Sequence, residues 1–110
     1  MVRPTKCRQI SFSPTATYFK PRGIAMAFLE EVGLELDEVE AIRLADLEGL
    51  YQVEAAARMG VSRQTFANIV ARARNKVADA LIHGKALKIA QPEESRVPVM
   101  NIQRCCEENP

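Results

Sequence analysis

The sequence predicts a mainly α-helical fold built around a helix-turn-helix, with an extended N-terminal arm and a disordered C-terminal tail. Three observations favour this class. Apolar residues recur three and four positions apart over 66–81, which is typical of a helix packed along one face. Gly60 and Ser62 separate this stretch from an earlier apolar one, as a turn and a helix cap would. Prolines punctuate the first 23 residues, where they disfavour helix.

The length and composition fit one compact domain with two flanking segments. With 110 residues, 47% of them hydrophobic, the chain can bury one core of ordinary size. We place an arm at 1–23, a helical domain at 24–90 and a flexible tail at 91–110. No apolar run is long enough for a membrane span or a signal peptide, so we expect a cytoplasmic protein with no membrane partner.

The elements before residue 50 are the least regular. β-leaning "ISF" and "TYF" in the arm allow one short strand, and the mixed pattern of 24–32 suggests a helical turn or two. A first helix then follows, with Asp37 as its N-cap, Glu40 completing a capping box and Gly49 as its stop. Its apolar stripe includes Val39, Ile42 and Leu47.

Two further helices are predicted with clearer limits. The second covers about Gln52 to Met59 and has an apolar face made of Val53, Ala55, Ala56 and Met59. The third begins after the cap Ser62 and ends near His83-Gly84. Its inner face consists of Phe66, Ile69, Val70, Ala73, Val77, Ala80 and Leu81. After it, "KALKIA" is either a short strand or a cover on the core.

The junction of the second and third helices, at about 52–82, meets the steric demands of a helix-turn-helix. Ala56 is small enough for two helices to cross closely, and Gly60 can adopt the left-handed conformation that reverses the chain. At 100° per residue, the outer face of the third helix presents Gln64, Asn68, Ala71 and Asn75, with Arg72 at its edge. Gln and Asn pair with adenine edges and Arg with guanine or phosphate, so we expect this helix to read the major groove of double-stranded DNA.

Charge is segregated along the chain although the net charge is only +1. Residues 1–28 and 55–78 contain basic residues and no acid, and they flank an acidic segment. This predicts one surface that faces a polyanion. The candidate DNA-binding residues are Arg63, Gln64, Thr65, Asn68, Arg72, Asn75, Arg58, Arg3, Lys6 and Arg8. The last three form a basic arm. This arm either contacts DNA, along the phosphates or in the minor groove, or is a solvated terminus.

The stretch "LDEVEAIRLADLEGLYQVEAAARMGVSRQTFANIVARARNKVADALIHGKALKI", with "RPTKCR" and "TYFKPRGI" before it, resembles uncharacterised protein family 0251, also called domain of unknown function 134. These are small bacterial and archaeal proteins predicted to bind DNA, and the resemblance covers about 3–90. Residues 36–82 also resemble region 4 of sigma-70-type sigma factors. That resemblance implies a winged-helix-like, four-helix or tri-helical all-α core that reads the major groove of DNA, and we carry over this geometry without a role in initiation. We expect the protein to act in transcription regulation.

Other classes of function find less support in the sequence. No acids, bases or nucleophiles are arranged as a catalytic set, so we expect no enzyme and no small-molecule ligand. Cys7, Cys105 and Cys106 form neither a disulfide framework nor a metal motif, and His83 is the only His, so no metal or other cofactor is expected. One short reading helix contacts few base pairs, which favours a homodimer. The alternative is a protein-interaction or dimerisation module that uses the acidic segment 30–48, with the helix-turn-helix merely structural.

Overall fold

The structure, a computed structural model, describes residues 8–91 and 99–101. Three α-helices dominate this part of the chain: α1 (Leu36–Ile42), α2 (Gln52–Met59) and α3 (Arg63–His83). The chain continues from α1 into a π-helical turn at Arg43–Leu47. The predicted mainly helical class is therefore confirmed, with a small sheet added to it. None of the described helices is long and apolar enough to cross a membrane.

In the described part of the chain, five short strands accompany the helices: β1 (Arg8–Ile10), β2 (Tyr18–Phe19), β3 (Glu31–Leu34), β4 (Ala86–Ile89) and β5 (Val99–Asn101). A three-stranded sheet has the order β2-β4-β3, with β4 antiparallel to β2 and parallel to β3. The strand at "KALKIA" is thus confirmed. The prediction of helical turns over 24–32 is correct only for the 3-10 turn at Met26–Phe28, because pairing with β4 makes the segment after it a strand.

The described part of the predicted arm is packed against the domain. Ile10 is buried in a core cluster with Leu34, Leu36 and Ile89. β1 also pairs in parallel with β5, which lies in the segment predicted as a disordered tail. Arg3, Lys6 and all three cysteines lie outside the described residues.

The start of α1 corrects one sequence-based expectation. The N-cap is Glu35, not Asp37, and the capping box joins Glu35 to Glu38, whose side chain accepts from the Glu35 N–H at 2.9 Å. The box therefore begins two residues earlier than predicted, and Asp37 is buried in the protein interior. Gly49 has a positive φ of 74° just after the π turn, in agreement with its predicted role as a stop.

The second core cluster joins all three helices, and its buried members are Ala41, Leu44, Ala55, Ala56, Met59, Phe66, Ile69 and Val70. The predicted bounds of α2 and α3 are confirmed. Three residues assigned to inner faces are instead exposed: Leu47, Val53 and Leu81. Each follows the apolar spacing of its segment, but it lies at an end of that segment where no neighbouring element covers it.

Candidate nucleic-acid interface

A three-residue turn, Gly60 to Ser62, fixes where α3 begins. Gly60 has φ 70° and ψ 31°, the left-handed conformation that a residue without Cβ adopts at little cost. Its N–H donates to Ala57 O at 3.2 Å, and the Val61 N–H donates to Ala56 O at 3.1 Å, so both amides close the end of α2.

The first turn of α3 is capped by Ser62. Its Oγ accepts from the Thr65 N–H at 3.0 Å and donates to Thr65 Oγ1 at 2.9 Å. Thr65 is half-buried, and both of these polar groups are engaged in the cap. This candidate DNA-binding residue therefore positions the start of the helix.

The outer face of α3 is uncovered along most of its length. Gln64, Asn68, Ala71 and Asn75 are all exposed. Gln64 Nε2 donates to Asn68 Oδ1 at 3.1 Å, which orients the two amides as a pair. Gln64 Oε1 and Asn68 Nδ2 have no partner within the described residues, so an acceptor oxygen and a donor NH₂ group remain available to a ligand.

Among the cations of 55–78, those near the turn are held least by acids. Arg63 is exposed and has no ion pair within the described part of the chain. Arg58 pairs with Glu54 at 3.4 Å, but the side chains of both are more than half exposed. Such an exposed pair is worth little in water, so a phosphate could replace Glu54.

The cations in the middle of α3 are bound to acids of the preceding elements. Arg72 Nε lies 3.2 Å from Glu38 Oε2, and Lys76 Nζ lies 2.8 Å from Glu38 Oε1. Arg74 forms a two-pronged contact with Asp46, at 2.7 and 3.1 Å. Hydrogen bonding by Arg74 lowers the pKa of Asp46, and the same contact raises the pKa of Arg74. Within 55–78, the cations of the middle turns are thus paired with acids, although the side chains of Arg72 and Arg74 remain more than half exposed.

A second feature absent from the sequence analysis is a row of buried carboxylates on α1. Asp37, Glu38 and Glu40 are at most 1% exposed. Glu40 Oε2 accepts from the N–H and the hydroxyl of Ser11 at 3.3 and 3.0 Å, and Arg43 Nε donates to its Oε1 at 2.8 Å. Glu40 thus connects α1 to the segment after β1, and Glu38 connects α1 to α3.

Asp37 is the least satisfied member of the row. Its nearest described cation is Arg8, with Nε 3.4 Å from Oδ2, and neither carboxylate oxygen has a hydrogen-bond partner among the described residues. Burial, and then the Glu38 carboxylate, raise the pKa of Asp37, while Arg8 and Arg72 oppose that rise. Arg8, a candidate for the DNA-binding arm, thus lies in an internal ion pair.

Gln9 is a further polar residue that the sequence analysis missed. It is exposed, and its side chain lies over the turn, where a Cβ at position 60 would be 3.8 Å from its Cγ and Cδ. No local pattern could have indicated a contact between residues so far apart in the chain. Within the described residues, no group of three or more His, Cys, Asp or Glu could hold a metal ion.

Comparisons with known proteins identify relatives but no activity. The family model described as "Protein of unknown function DUF134" matches residues 1–96. A UPF0251 protein of Desulforudis audaxviator is 57% identical over 89 residues, which are 81% of this chain and 58% of the relative. For a UPF0251 protein of Moorella thermoacetica the identity is 56%, over 81% of this chain and 60% of the relative.

A UPF0251 protein of Dehalococcoides mccartyi is 50% identical over 107 residues, which are 97% of this chain and 88% of the relative. The chain thus spans about three fifths of the length of the first two relatives and most of the third. No solved structure matches the chain.

Proposed function

The chain belongs to the family of proteins of unknown function DUF134, and we propose that it binds double-stranded DNA in a sequence-specific manner as a transcriptional regulator. In this proposal α2, the turn and α3 form a helix-turn-helix like that of sigma region 4. The first turns of α3 enter the major groove. The observation that carries the proposal is the exposed amide pair of Gln64 and Asn68 at the start of a capped helix.

The chemistry of the amide pair suits a base edge. An amide side chain offers a donor and an acceptor side by side, which matches N7 and the N6 amino group of adenine in the major groove. The mutual hydrogen bond restricts both side chains before DNA is bound. Less conformational entropy is then lost on binding. Asn75 lies two turns further along the same face and extends it.

In this proposal the cations around the turn contact the DNA phosphates. Arg63 lies beside the amide pair at the first position of α3, and Arg58 lies on the last turn of α2. Both positions suit contacts to the DNA backbone beside the groove. Arg72 is assigned a lesser part in the proposal because its Nε is already bound to Glu38.

The alternative function, an interaction module that uses acidic segment 30–48, receives less support. Three carboxylates of that segment are buried, and Asp46 and Glu48 are bound to arginines. Five of the eight acids in this segment are therefore buried or already paired with arginines. In the proposal the segment supports α3, and two copies of the protein bind paired half-sites in the cytoplasm.

The test begins by selecting binding sites for the full chain from a pool of random duplexes. The selected duplex and a shuffled one are then titrated at several salt concentrations. Gln64→Ala and Asn68→Ala should each weaken binding to the selected duplex by about 1–3 kcal/mol and change binding to the shuffled one little. The control is Gln52→Ala, an exposed amide on α2 that should leave the preference for the selected duplex unchanged.

Two results would count against the proposal. If both variants keep the full preference, α3 does not read the sequence. If the parent binds no duplex, or binds without the salt dependence that phosphate contacts impose, the interaction module becomes the better account.

A further inference from the structure

Gln9 is the exposed residue of strand β1, and both of its neighbours in the strand are turned inward. The Arg8 side chain is only 12% exposed beside Asp37, and Ile10 is 3% exposed in the core. Successive side chains of a strand point to opposite faces, so Gln9 lies on the outer face of β1. The group that this part of the arm presents to solvent is therefore an uncharged amide, where the sequence had predicted a cation.

The residues on either side of Gln9 fix its backbone to helix α1. On one side, Arg8 Nε lies 3.4 Å from Asp37 Oδ2. On the other side, the N–H and the hydroxyl of Ser11 both donate to Glu40 Oε2, at 3.3 and 3.0 Å. Because position 9 is held between these two contacts, little backbone freedom is left to lose when a ligand binds there.

The side chain of Gln9 covers the turn between α2 and α3. A Cβ at position 60 would be 3.8 Å from Gln9 Cδ and 3.9 Å from its Nε2, so the amide group itself lies over Gly60. Arg58 is two residues before Gly60 and Arg63 is three residues after it. Chain geometry limits their Cα atoms to roughly 7 and 11 Å from that of Gly60. The Gln9 amide is therefore close to the two cations that the proposed function assigns to DNA phosphates.

The Gln9 amide is available to a ligand. It has no hydrogen-bond partner within the described residues. Its Nε2 carries two N–H donors, and Gln side chains are among those that donate to phosphate oxygens in protein–DNA complexes. No acidic residue occurs over 55–78, so the turn itself carries no carboxylate that would repel a phosphate.

We propose that Gln9 donates from Nε2 to a phosphate oxygen of the DNA backbone beside the turn, an inference that rests on the proposed function. In a helix-turn-helix, the helix before the turn crosses the sugar-phosphate backbone, and the helix after it lies in the major groove. A donor over the end of α2 therefore meets the backbone and adds affinity without reading sequence. Strand β1 and the two helices thus form one DNA-binding surface.

The first test removes the amide. Gln9→Ala in the full chain should weaken binding about 10-fold on the selected duplex and on the shuffled one alike, the loss expected for one hydrogen bond to a charged group. The salt slope should not change, because an uncharged donor displaces no counterion. The control is Thr15→Ala, an exposed polar residue near Thr17, whose carbonyl accepts from the Ile89 N–H of the sheet. It should bind both duplexes like the parent.

A second variant, Gln9→Lys, distinguishes a phosphate contact from a role in covering the turn alone. The aliphatic part of lysine can keep the cover over Gly60 while its ammonium binds phosphate. The salt slope should therefore rise by about one unit on both duplexes. The matched control is Leu81→Lys, at an exposed position roughly 27 Å along α3 from Arg63. That distance exceeds the Debye length of roughly 10 Å at 0.1 M salt, so its slope should equal that of the parent.

Cross-linking reports the position of residue 9 without reference to affinity. In a chain whose native cysteines are replaced by serine, a photoreactive group attached at Gln9→Cys should cross-link to the bound duplex. The same group attached at Leu81→Cys should not. Urea denaturation of each variant should give a free energy of unfolding close to that of its parent, so that a loss of binding is not a loss of fold.

The outcomes separate this inference from the proposed function. If the parent prefers the selected duplex while Gln9→Ala and Gln9→Lys titrate like it, or if position 9 gives no cross-link, the inference alone is overturned. If the parent binds both duplexes equally and the effects at position 9 are as expected, the phosphate contact is supported and sequence-specific binding alone is overturned. A parent that binds neither duplex overturns both.

Discussion

The first and middle turns of α3 come from the same acid-free stretch, yet their cations differ in what they contact. In the first turn, Arg63 is exposed and has no ion pair within the described residues. In the middle turns, Arg72 and Lys76 share the buried carboxylate of Glu38, and Arg74 holds Asp46. A basic stretch in a sequence therefore gives the total charge of a helix but not the part of it that remains available to a ligand.

The first and middle turns of α3 therefore have different roles. Its first turns present polar groups outward and are fixed by the Ser62 cap. Its middle turns hold the helix to α1 through charges that lie partly inside the protein. Variants of the middle turns should therefore change stability, and variants of the first turns should change DNA binding.

The largest effect is expected from Glu38→Ala. This change removes the acceptor of Arg72 and Lys76 and breaks the capping box with Glu35. The free energy of unfolding should fall by about 2–3 kcal/mol. This loss is smaller than that for a fully buried ion pair, because the two cations can turn toward water. Urea denaturation measures it.

The control for this prediction is Glu54→Ala, which removes an exposed carboxylate that pairs with Arg58. It should change the free energy of unfolding by less than about 0.5 kcal/mol. Equal losses from the two variants would mean that burial of Glu38 contributes nothing to holding α3.

A smaller effect distinguishes Arg63→Ala from Arg72→Ala. Arg63→Ala should reduce the salt slope of DNA binding by about one unit and leave stability unchanged, because its guanidinium has no partner within the described residues. Arg72→Ala should lower the free energy of unfolding by about 1 kcal/mol and change the slope less. Titrations at several salt concentrations, with denaturation of each variant, give both quantities. The reverse pattern would show that Glu38 releases Arg72 to DNA.

The smallest expected effect comes from Asp37→Asn and depends on pH. Since burial raises the pKa of Asp37, the folded state binds its proton more tightly than the unfolded state does. Its contribution to stability is therefore full below the usual carboxyl pKa of about 4 and is lost as pH rises through the raised value. At pH 7, Asp37→Asn should raise Tm by roughly 2–4 °C, and the gain should vanish in acid.

Asp46→Asn provides the opposite case. Hydrogen bonding by Arg74 lowers the pKa of Asp46, so its contribution is present above the usual carboxyl pKa and is lost as pH falls through the lowered value. This variant should melt lower than the parent at pH 7. If Asp37→Asn also melts lower there, the ion pair with Arg8 outweighs the cost of burying the carboxylate.

The parts of the fold that were predicted correctly depend on local chemistry. Gly60 and Ser62 determine the turn between α2 and α3 through their own backbone and side-chain properties, and Gly84 ends α3 with a positive φ of 66°. Strand β3 was missed because its pairing with β4 joins residues more than fifty positions apart. No repeat or spacing within 31–34 indicates that partner.

The candidate site was predictable to the same local extent. Helical periodicity placed Gln64 and Asn68 on one exposed face, and the structure adds their hydrogen bond. The engagement of Arg72 by Glu38 could not be predicted, since it depends on how α1 packs on α3. Asp37, assigned as a cap from its position, is buried because the capping box forms two residues earlier.

Because β4 lies at the centre of its sheet, it determines which parts of the chain can fold first during synthesis. β2 and β3 bond to β4 and not to each other. Glu31 pairs with Ala86, so α1, α2 and α3 all lie within a single loop that this pairing closes. Closing so long a loop costs entropy that only packed helices can offset, and contacts of this range form slowly. A growing chain on the ribosome can therefore form its helical pair early, while β2 and β3 remain unpaired until Ile89 has emerged.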